Sequence, residues 1–335
     1  MNDKIRTIHF GLGYVGTEIA RLVSHRRDME IVGAIDIDEA KVGLDLGRVL
    51  GEDQDWGIVI SDDPQAVLTS GGADIVVHCT GSYLPQVYPQ LVEVIEADLN
   101  LISTCEELAY PALQHPDLAH ELDRLARQHG VTVLGSGINP GFVMDKLVVV
   151  LSGATQEVKS VRVTRVVDAS QRRFPLQKKV GAGLSVEEFE ERVKKGTVRH
   201  VGLRESAALI AASLGWELDD LQEMTEPVVA TRKARTRYVA VEPGQVAGVR
   251  QVVQGLKEGV ELIRLELQMY LDAEEPRDSI YIEGTPNIDM TIAGGIHGDR
   301  GTAAVIVNSI PSVVAAPPGL VTVEDLPPAG SVGVT

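Results

Sequence analysis

Three sets of residues in this chain are of the type and spacing that could do chemistry. The first is Gly11-Leu12-Gly13-Tyr14-Val15-Gly16, with Asp36 twenty residues beyond Gly16. The apolar, β-branched run before Gly11 reads as a strand, and Val15, Ile19, Leu22 and Val23 recur at helical spacing after it. This is the strand–glycine turn–helix–strand–acid order of a dinucleotide-binding fingerprint. Gly11 makes the tight turn, Gly13 lets the backbone approach a pyrophosphate, and Gly16 permits close helix–strand packing. The N–H groups at the helix start attract phosphate. Asp36 can accept hydrogen bonds from the adenine ribose hydroxyls. The plain alternative is a glycine-rich turn with no ligand. The second set is Thr80-Gly81-Ser82, Thr104-Cys105-Glu106 and Ser136-Gly137-Ile138-Asn139-Pro140, each directly after an apolar run. It offers one acid, one thiol, one amide and several backbone groups. Glu106 is the candidate for proton transfer on an amine, a carbinolamine or an alcohol. The competing reading makes Glu106 and Glu107 first-turn acids that complement a helix dipole. Cys105 could be a nucleophile or a small core thiol, and the core role is the simpler. The third set is the histidines. His78 lies within a buried run and reads as a satisfied core residue, whereas His200 and His297 stand in polar stretches. No second ligand is spaced to form a metal site.

These residues need elements to position them. Lys4–Phe10, Ile31–Ile35, Trp56–Ile60, Ala73–Cys79, Leu99–Ser103 and Val131–Leu134 are expected strands, with helices at Val15–Ser24, Pro64–Leu68, Gln86–Glu96 and Pro116–His129. Strands alternating with helices of this length imply a parallel, doubly wound sheet. In such a sheet, ligands bind beyond the carboxyl ends of the strands, where strand order reverses. The second set should then line the nicotinamide half of the site, and Asp36 the adenosine half.

After a helix beginning near Val143 the texture changes. Val158–Val167 largely alternates, as a strand with one solvated or ligand-facing side does. Ser185 and Glu188 form a capping box that opens a charged helix to Lys195. Further elements are a helix over Glu205–Leu214 and strands at Tyr238–Val241, Gly248–Gln254, Glu261–Tyr270 and Ser279–Glu283. A late helix spans Gly301 to about Ile310, with an irregular tail set by Pro311, Pro317 and Pro318. The fold class is therefore α/β: a Rossmann doubly wound parallel sheet with a second α+β domain on an open mixed sheet. Residues 1–150 form the dinucleotide-binding domain and 151–300 the substrate and oligomerisation domain. Residues 301–335 are a helix and tail returning to the cleft.

The 335 residues suffice for two domains. Forty-eight acidic against 31 basic residues give a net charge of −17, which argues against nucleic acid and anionic membrane as partners. Arg162, Arg165, Arg172, Arg173, Lys178 and Lys179 form a basic cluster, read as solvated strand edges or an anionic-ligand site. Two cysteines make no disulfide framework, the N-terminus has no apolar signal core, and the most apolar stretch is broken by prolines. The expectation is a cytoplasmic protein.

ISTCEELAYP (Ile102–Pro111), GSGINPGFVMD (Gly135–Asp145), the segment Asp168–Gly183, HVGLRES (His200–Ser206) and PGLVTVEDLP (Pro318–Pro327) resemble one family over nearly the whole chain. It is that of the 2,4-diaminopentanoate dehydrogenases and native amine dehydrogenases, with a Rossmann domain akin to that of dihydrodipicolinate reductase. The resemblance implies NAD(P)-dependent oxidative deamination of an amine and, in reverse, reductive amination of a ketone or aldehyde with ammonia. It implies a homodimer, Glu106 as the catalytic residue, and Cys105, Asn139, Pro140, Phe142, Gln268 and Thr302 about the substrate. Relatives often carry histidine at Gln268. Cofactor contacts are expected from Gly11, Leu12, Gly13, Tyr14, Val15, Gly16, Asp36, Thr80, Gly81, Ser82, Thr104 and Asn139. Asp36 should favour NAD over NADP, because its carboxylate would repel a 2′-phosphate, and Lys41 and Arg48 could soften that preference by approaching the ribose. Two rivals stand beside this reading. A reductase of a C=O or cyclic C=N bond would turn over a carbonyl without ammonia. A nucleotide-sensing regulator would bind NADH without turnover.

Overall fold

The run IRTIHF forms the first strand, β1 (Ile5–Phe10), and Gly11 ends it. The structure is a computed structural model that describes residues 4–332. The chain divides into two units, Met1–Phe142 with His297–Thr335, and Val143–Ile296. In the first unit β1 is followed by α1 (Tyr14–Ser24), β2 (Met29–Ile35), α2 (Leu46–Val49), α3 (Pro64–Leu68), β3 (Ile75–His78), α4 (Leu84–Glu96), β4 (Asn100–Ser103), α5 (Pro116–His129) and β5 (Thr132–Gly135). Helix α5 stops where expected because Gly130 takes a left-handed cap at φ 71°. The expected strand Trp56–Ile60 does not join the sheet. Only isolated bridges form there, Ile35 to Ser61 and Asp45 to Val59. Asp45 explains this: its carboxylate accepts the backbone N–H groups of Gly47, Trp56, Gly57 and Ile58, which folds the segment into a loop.

The second unit contains α6 (Lys146–Ser152), β6 (Val158–Asp168), α7 (Phe174–Lys179), α8 (Val186–Lys194), α9 (Leu203–Ser213), β7 (Asp220–Val229), β8 (Ala234–Arg235), β9 (Ala240–Val241), β10 (Val246–Lys257), β11 (Val260–Tyr270), β12 (Arg277–Gly284) and β13 (Ile288–Ala293). The capping box of Ser185 and Glu188 opens α8. The sheet runs β13-β12-β6-β11-β10-β7, parallel only between β6 and β11. Strands β7 and β13 escape sequence reading, and in β7 charged residues and Pro227 obscure the alternation. On one face Ile263, Leu265 and Leu267 are buried, and α9 packs on β10 and β11. Arg165 is not a solvated edge residue. It is 3% exposed and bound to Asp278, itself 1% exposed, at 2.8 Å.

The chain then returns to the first unit with α10 (Gly298–Ala315) and β14 (Gly319–Val321). Helix α10 runs through Pro311, past the expected stop. Ala303, Ile306, Val307, Ile310 and Val313 are all buried along it, so packing outweighs one lost N–H bond. The first sheet has the order β14-β5-β4-β3-β1-β2, and every pairing is parallel. The chain steps outward in both directions from β1, which makes the β1–β3 junction the switch point. The side chains of α4 and α5 pack with Ile8, Phe10, Val76, Leu101 and Val133 on one face. Helices α1 and α10 pack together, with α10 against β4 and β5. Among the described residues, no helix is long and apolar enough to cross a membrane.

Candidate active site

Four backbone hydrogen bonds carry the sheet one residue past its strands and align the loops that follow. Gly11 N–H donates to Ile35 O at 2.8 Å, Cys79 to Phe10 at 2.7 Å, Thr104 to His78 at 3.0 Å and Ser136 to Ser103 at 2.9 Å. Asp36, the glycine turn, Thr80, Glu106 and Asn139 therefore leave one edge of one sheet, in the first unit.

The glycine turn has the steric properties of a diphosphate cradle. Gly11 has φ +93°, and a Cβ there would lie 2.7 Å from the Cys79 carbonyl oxygen. A Cβ on Gly16 would overlap the Gly11 carbonyl oxygen. Gly13 differs: nothing lies within 4 Å of where its Cβ would stand. It is also the N-cap of α1 and provides no side-chain bond to the helix start. Leu12 is buried and Tyr14 is 48% exposed at the first helical turn. Asp36 is 8% exposed, and its carboxylate accepts the N–H of Leu12 at 2.6 Å and of Asp38 at 2.8 Å. The acid thus ties the end of β2 to the glycine turn. A dinucleotide fits these residues: Gly13 leaves open space and an uncapped helix start for a diphosphate.

On the other side of the switch point, His78 is fully buried. Its Nδ1 is 2.8 Å from Ser103 Oγ, and its Nε2 is 2.8 Å from Thr80 Oγ1 and 2.9 Å from Gln90 Oε1. Burial holds the imidazole neutral, with its pKa lowered to about 4, as expected for a satisfied core histidine. Ser103 Oγ also accepts the Cys105 N–H at 3.1 Å.

Glu106 and Glu107 open a short 3₁₀ turn, Glu106–Ala109, and their fates differ. Glu106 is half-buried. Glu107 is 4% exposed; its carboxylate accepts the Leu84 N–H at 2.7 Å and lies 3.0 Å from His115 Nε2. Its own N–H donates to Ser82 O at 3.3 Å. Glu107 therefore ties the Thr80–Ser82 loop to the turn bearing Glu106 and caps α4. Gly135 makes the same turn fit, because a Cβ there would overlap the Leu108 carbonyl.

The loop after β5 folds on itself. Asn139 and Pro140 are buried and joined by a cis peptide bond. Gly141 has φ +122°, and a Cβ there would overlap the Gly137 N–H. Thr302, in the first turns of α10, accepts the Ile138 N–H at 3.3 Å, which brings it to this loop. Phe142 is half-buried and ends the first stretch of this unit.

Cys105 is 1% exposed and packs in the core with Leu101 and Leu108, inside the fold rather than at a pocket surface. Burial pushes its thiol up to about 12, and that of Cys79 likewise, so neither carries a thiolate at neutral pH. His297 N-caps α10, its ring accepting the Arg300 N–H at 3.4 Å. The His200 backbone is held on both sides by the buried Gln251 side chain. Gln268 belongs to the second unit, on β11, where its Nε2 donates to Glu266 Oε1 at 2.7 Å. Gly135 escapes sequence reading, Glu107 reads there only as a first-turn acid, and Lys41, which faces Asp36, reads as a residue that could soften the preference for NAD.

Comparison with known proteins gives the family. Residues 5–103 match the N-terminal domain of dihydrodipicolinate reductase, and residues 142–333 match the 2,4-diaminopentanoate dehydrogenase C-terminal domain. The chain is 35% identical to a 2,4-diaminopentanoate dehydrogenase of Acetoanaerobium sticklandii, over 97% of this chain and 94% of that protein. It is 25% identical to an amine dehydrogenase of Streptomyces virginiae, over 98% of each. The structure of an amine dehydrogenase from Mycobacterium smegmatis matches with a TM-score of 0.86 at 29% identity, over 98% of this chain and 97% of that one. By these matches, and with a glycine turn built for a dinucleotide, the chain belongs to the 2,4-diaminopentanoate dehydrogenase family of NAD(P)-dependent amine dehydrogenases.

Proposed function

We propose that the protein catalyses the oxidative deamination of a small amine, and in reverse the reductive amination of a ketone or aldehyde, with Glu106 as the proton-transfer residue. The observation that carries this is the row of loops on one sheet edge, with a half-buried carboxylate opposite the switch point from an open glycine cradle. When bound, NAD(P) supplies the hydride exchange at the amine-bearing carbon. Gly11–Gly16 hold the diphosphate and Asp36 the adenine ribose, and Ile37, 84% exposed beside Asp36, offers apolar surface to adenine. Thr80, Gly81, Ser82, Thr104 and Asn139 border the nicotinamide half. Pro140, Phe142 and Thr302 shape the substrate side. Cys105 contributes packing beneath the Glu106 turn.

Glu106 takes a proton from the attacking ammonia and returns one to the carbinolamine oxygen as water leaves. In the oxidative direction, one protonated amine, one water and one oxidised NAD(P)+ give ammonium, the carbonyl product, NAD(P)H and one proton. Asp36 biases the cofactor toward NAD. The working form is a homodimer, as the resemblance to the family implies. Two free thiols fit a reducing cytoplasm.

A panel of amines assayed for NAD(P)H formation at alkaline pH tests this reading. Turnover with at least one amine, and carbonyl reduction only when ammonia is present, is the expected result. Carbonyl reduction without ammonia would make the protein a C=O or C=N reductase instead.

A further inference from the structure

The segment after β2 does more than leave the sheet. The Lys41 and Val42 N–H groups both donate to Asp38 O, at 2.7 and 3.0 Å, which winds one turn of chain above the strand end. That turn points Lys41 back at the ribose acid. Lys41 Nζ lies 3.4 Å from Asp36 Oδ2 and 3.1 Å from Asp38 Oδ2, with the lysine side chain 24% exposed. The two carboxylates are not equivalent. Asp36 is nearly buried and held by the Leu12 and Asp38 N–H groups, so it cannot turn away. Asp38 is 48% exposed and already accepts the Ala40 N–H, so it can release the ammonium to solvent exchange without being stranded. The other nearby cation, Arg48, is engaged elsewhere, 2.5 Å from Asp55 with both side chains more than half exposed.

We propose that Lys41 determines whether NADP is accepted. Bridging Asp36 and Asp38, it offsets the negative charge that would repel a 2′-phosphate. When NADP binds, Lys41 exchanges Asp38 for that phosphate while staying beside Asp36. A point charge on a flexible four-carbon stem suits such an exchange. The protein therefore uses both dinucleotides, with Asp36 favouring NAD and Lys41 keeping NADP usable. This inference rests on the dinucleotide reading of the glycine turn, and the test separates the two.

NADH and NADPH are titrated by their fluorescence into the wild-type protein, Lys41→Ala and Lys41→Arg. The wild type should bind both. Lys41→Ala should weaken NADPH by about tenfold or more and NADH by less than about threefold, and Lys41→Arg should recover most of the NADPH affinity. Equal effects on both cofactors, or an unchanged NADPH affinity in Lys41→Ala, overturn the assignment while leaving the glycine turn intact. NADH binding without NADPH binding in the wild type also overturns it. A wild type that binds neither removes the dinucleotide reading and this inference together.

Discussion

At the scale of single residues, adjacent glutamates with different surroundings make the sharpest test. Glu106→Gln keeps size and hydrogen bonding but cannot exchange protons. It should lower kcat by about 100-fold or more, with NADH affinity near that of the wild type. Glu107→Gln still accepts the Leu84 N–H but loses its charge beside His115. It should mainly lower the melting temperature, with a smaller loss of kcat. Equal losses of kcat in the two variants would assign the effect to the turn and remove Glu106 as the base. Cys105→Ser should keep most activity, and the enzyme should resist iodoacetamide, since burial holds that thiol protonated. Complete inactivation of a folded, cofactor-binding Cys105→Ser would reverse that assignment. The sequence separated Asp36, Glu106 and the glycines from their neighbours by motif. Residue types alone did not separate Glu106 from Glu107, which only the family motif did, because a strand-end turn decides which carboxylate goes inward, and that turn is packed by Gly135 and the distant Leu84.

At the scale of elements, two buried histidines on neighbouring strands give the first sheet a pH signature. Burial lowers His78 to about 4 and His9 to about 3, whereas an unfolded imidazole titrates near 6.5. Between those values the unfolded chain binds protons that the folded chain refuses. The stability from the neutral imidazoles is thus complete above about pH 6.5 and is lost as pH falls toward 4. Urea midpoints measured at pH 7.5, 6.5 and 5.5 should fall little over the first step and clearly over the second, and less so in His78→Gln. An unchanged slope in the variant would mean His78 is not held neutral. Elements with a clean period were legible: α5 and the capping box of α8 were readable from residue types alone. Strand-like Trp56–Ile60 misled, because four N–H groups on one Asp45 carboxylate outcompete sheet pairing, and no local pattern encodes that. Helix α10 outran its proline for a similar reason, since burial on several sides is a tertiary fact.

At the scale of the whole molecule, a change of texture after the helix that begins near Val143 suggested a second domain from residue 151, whereas the second unit already includes that helix, from Val143. The tail was expected to return to the cleft, but its place in the sheet of the first unit, through β14, was not legible. Three residues, Gly319–Val321, make β14, too few to announce a strand without β5 beside them. The return of the chain has a consequence for synthesis. Translation delivers β1 to β5 first, yet α10, whose buried side pairs with α1, and the edge strand β14 arrive only after Val143–Ile296 has been made. The nascent sheet must wait on the ribosome with one oily side uncovered, while the second unit has all its own strands in hand and can close earlier. Folding order should therefore run against chain order. A fragment of residues 1–142 should bind the dye ANS and aggregate, and adding residues 297–335 in trans should suppress both. A fragment that is soluble, ANS-silent and cooperatively folded would show that the nucleotide-binding half matures before the ribosome has finished.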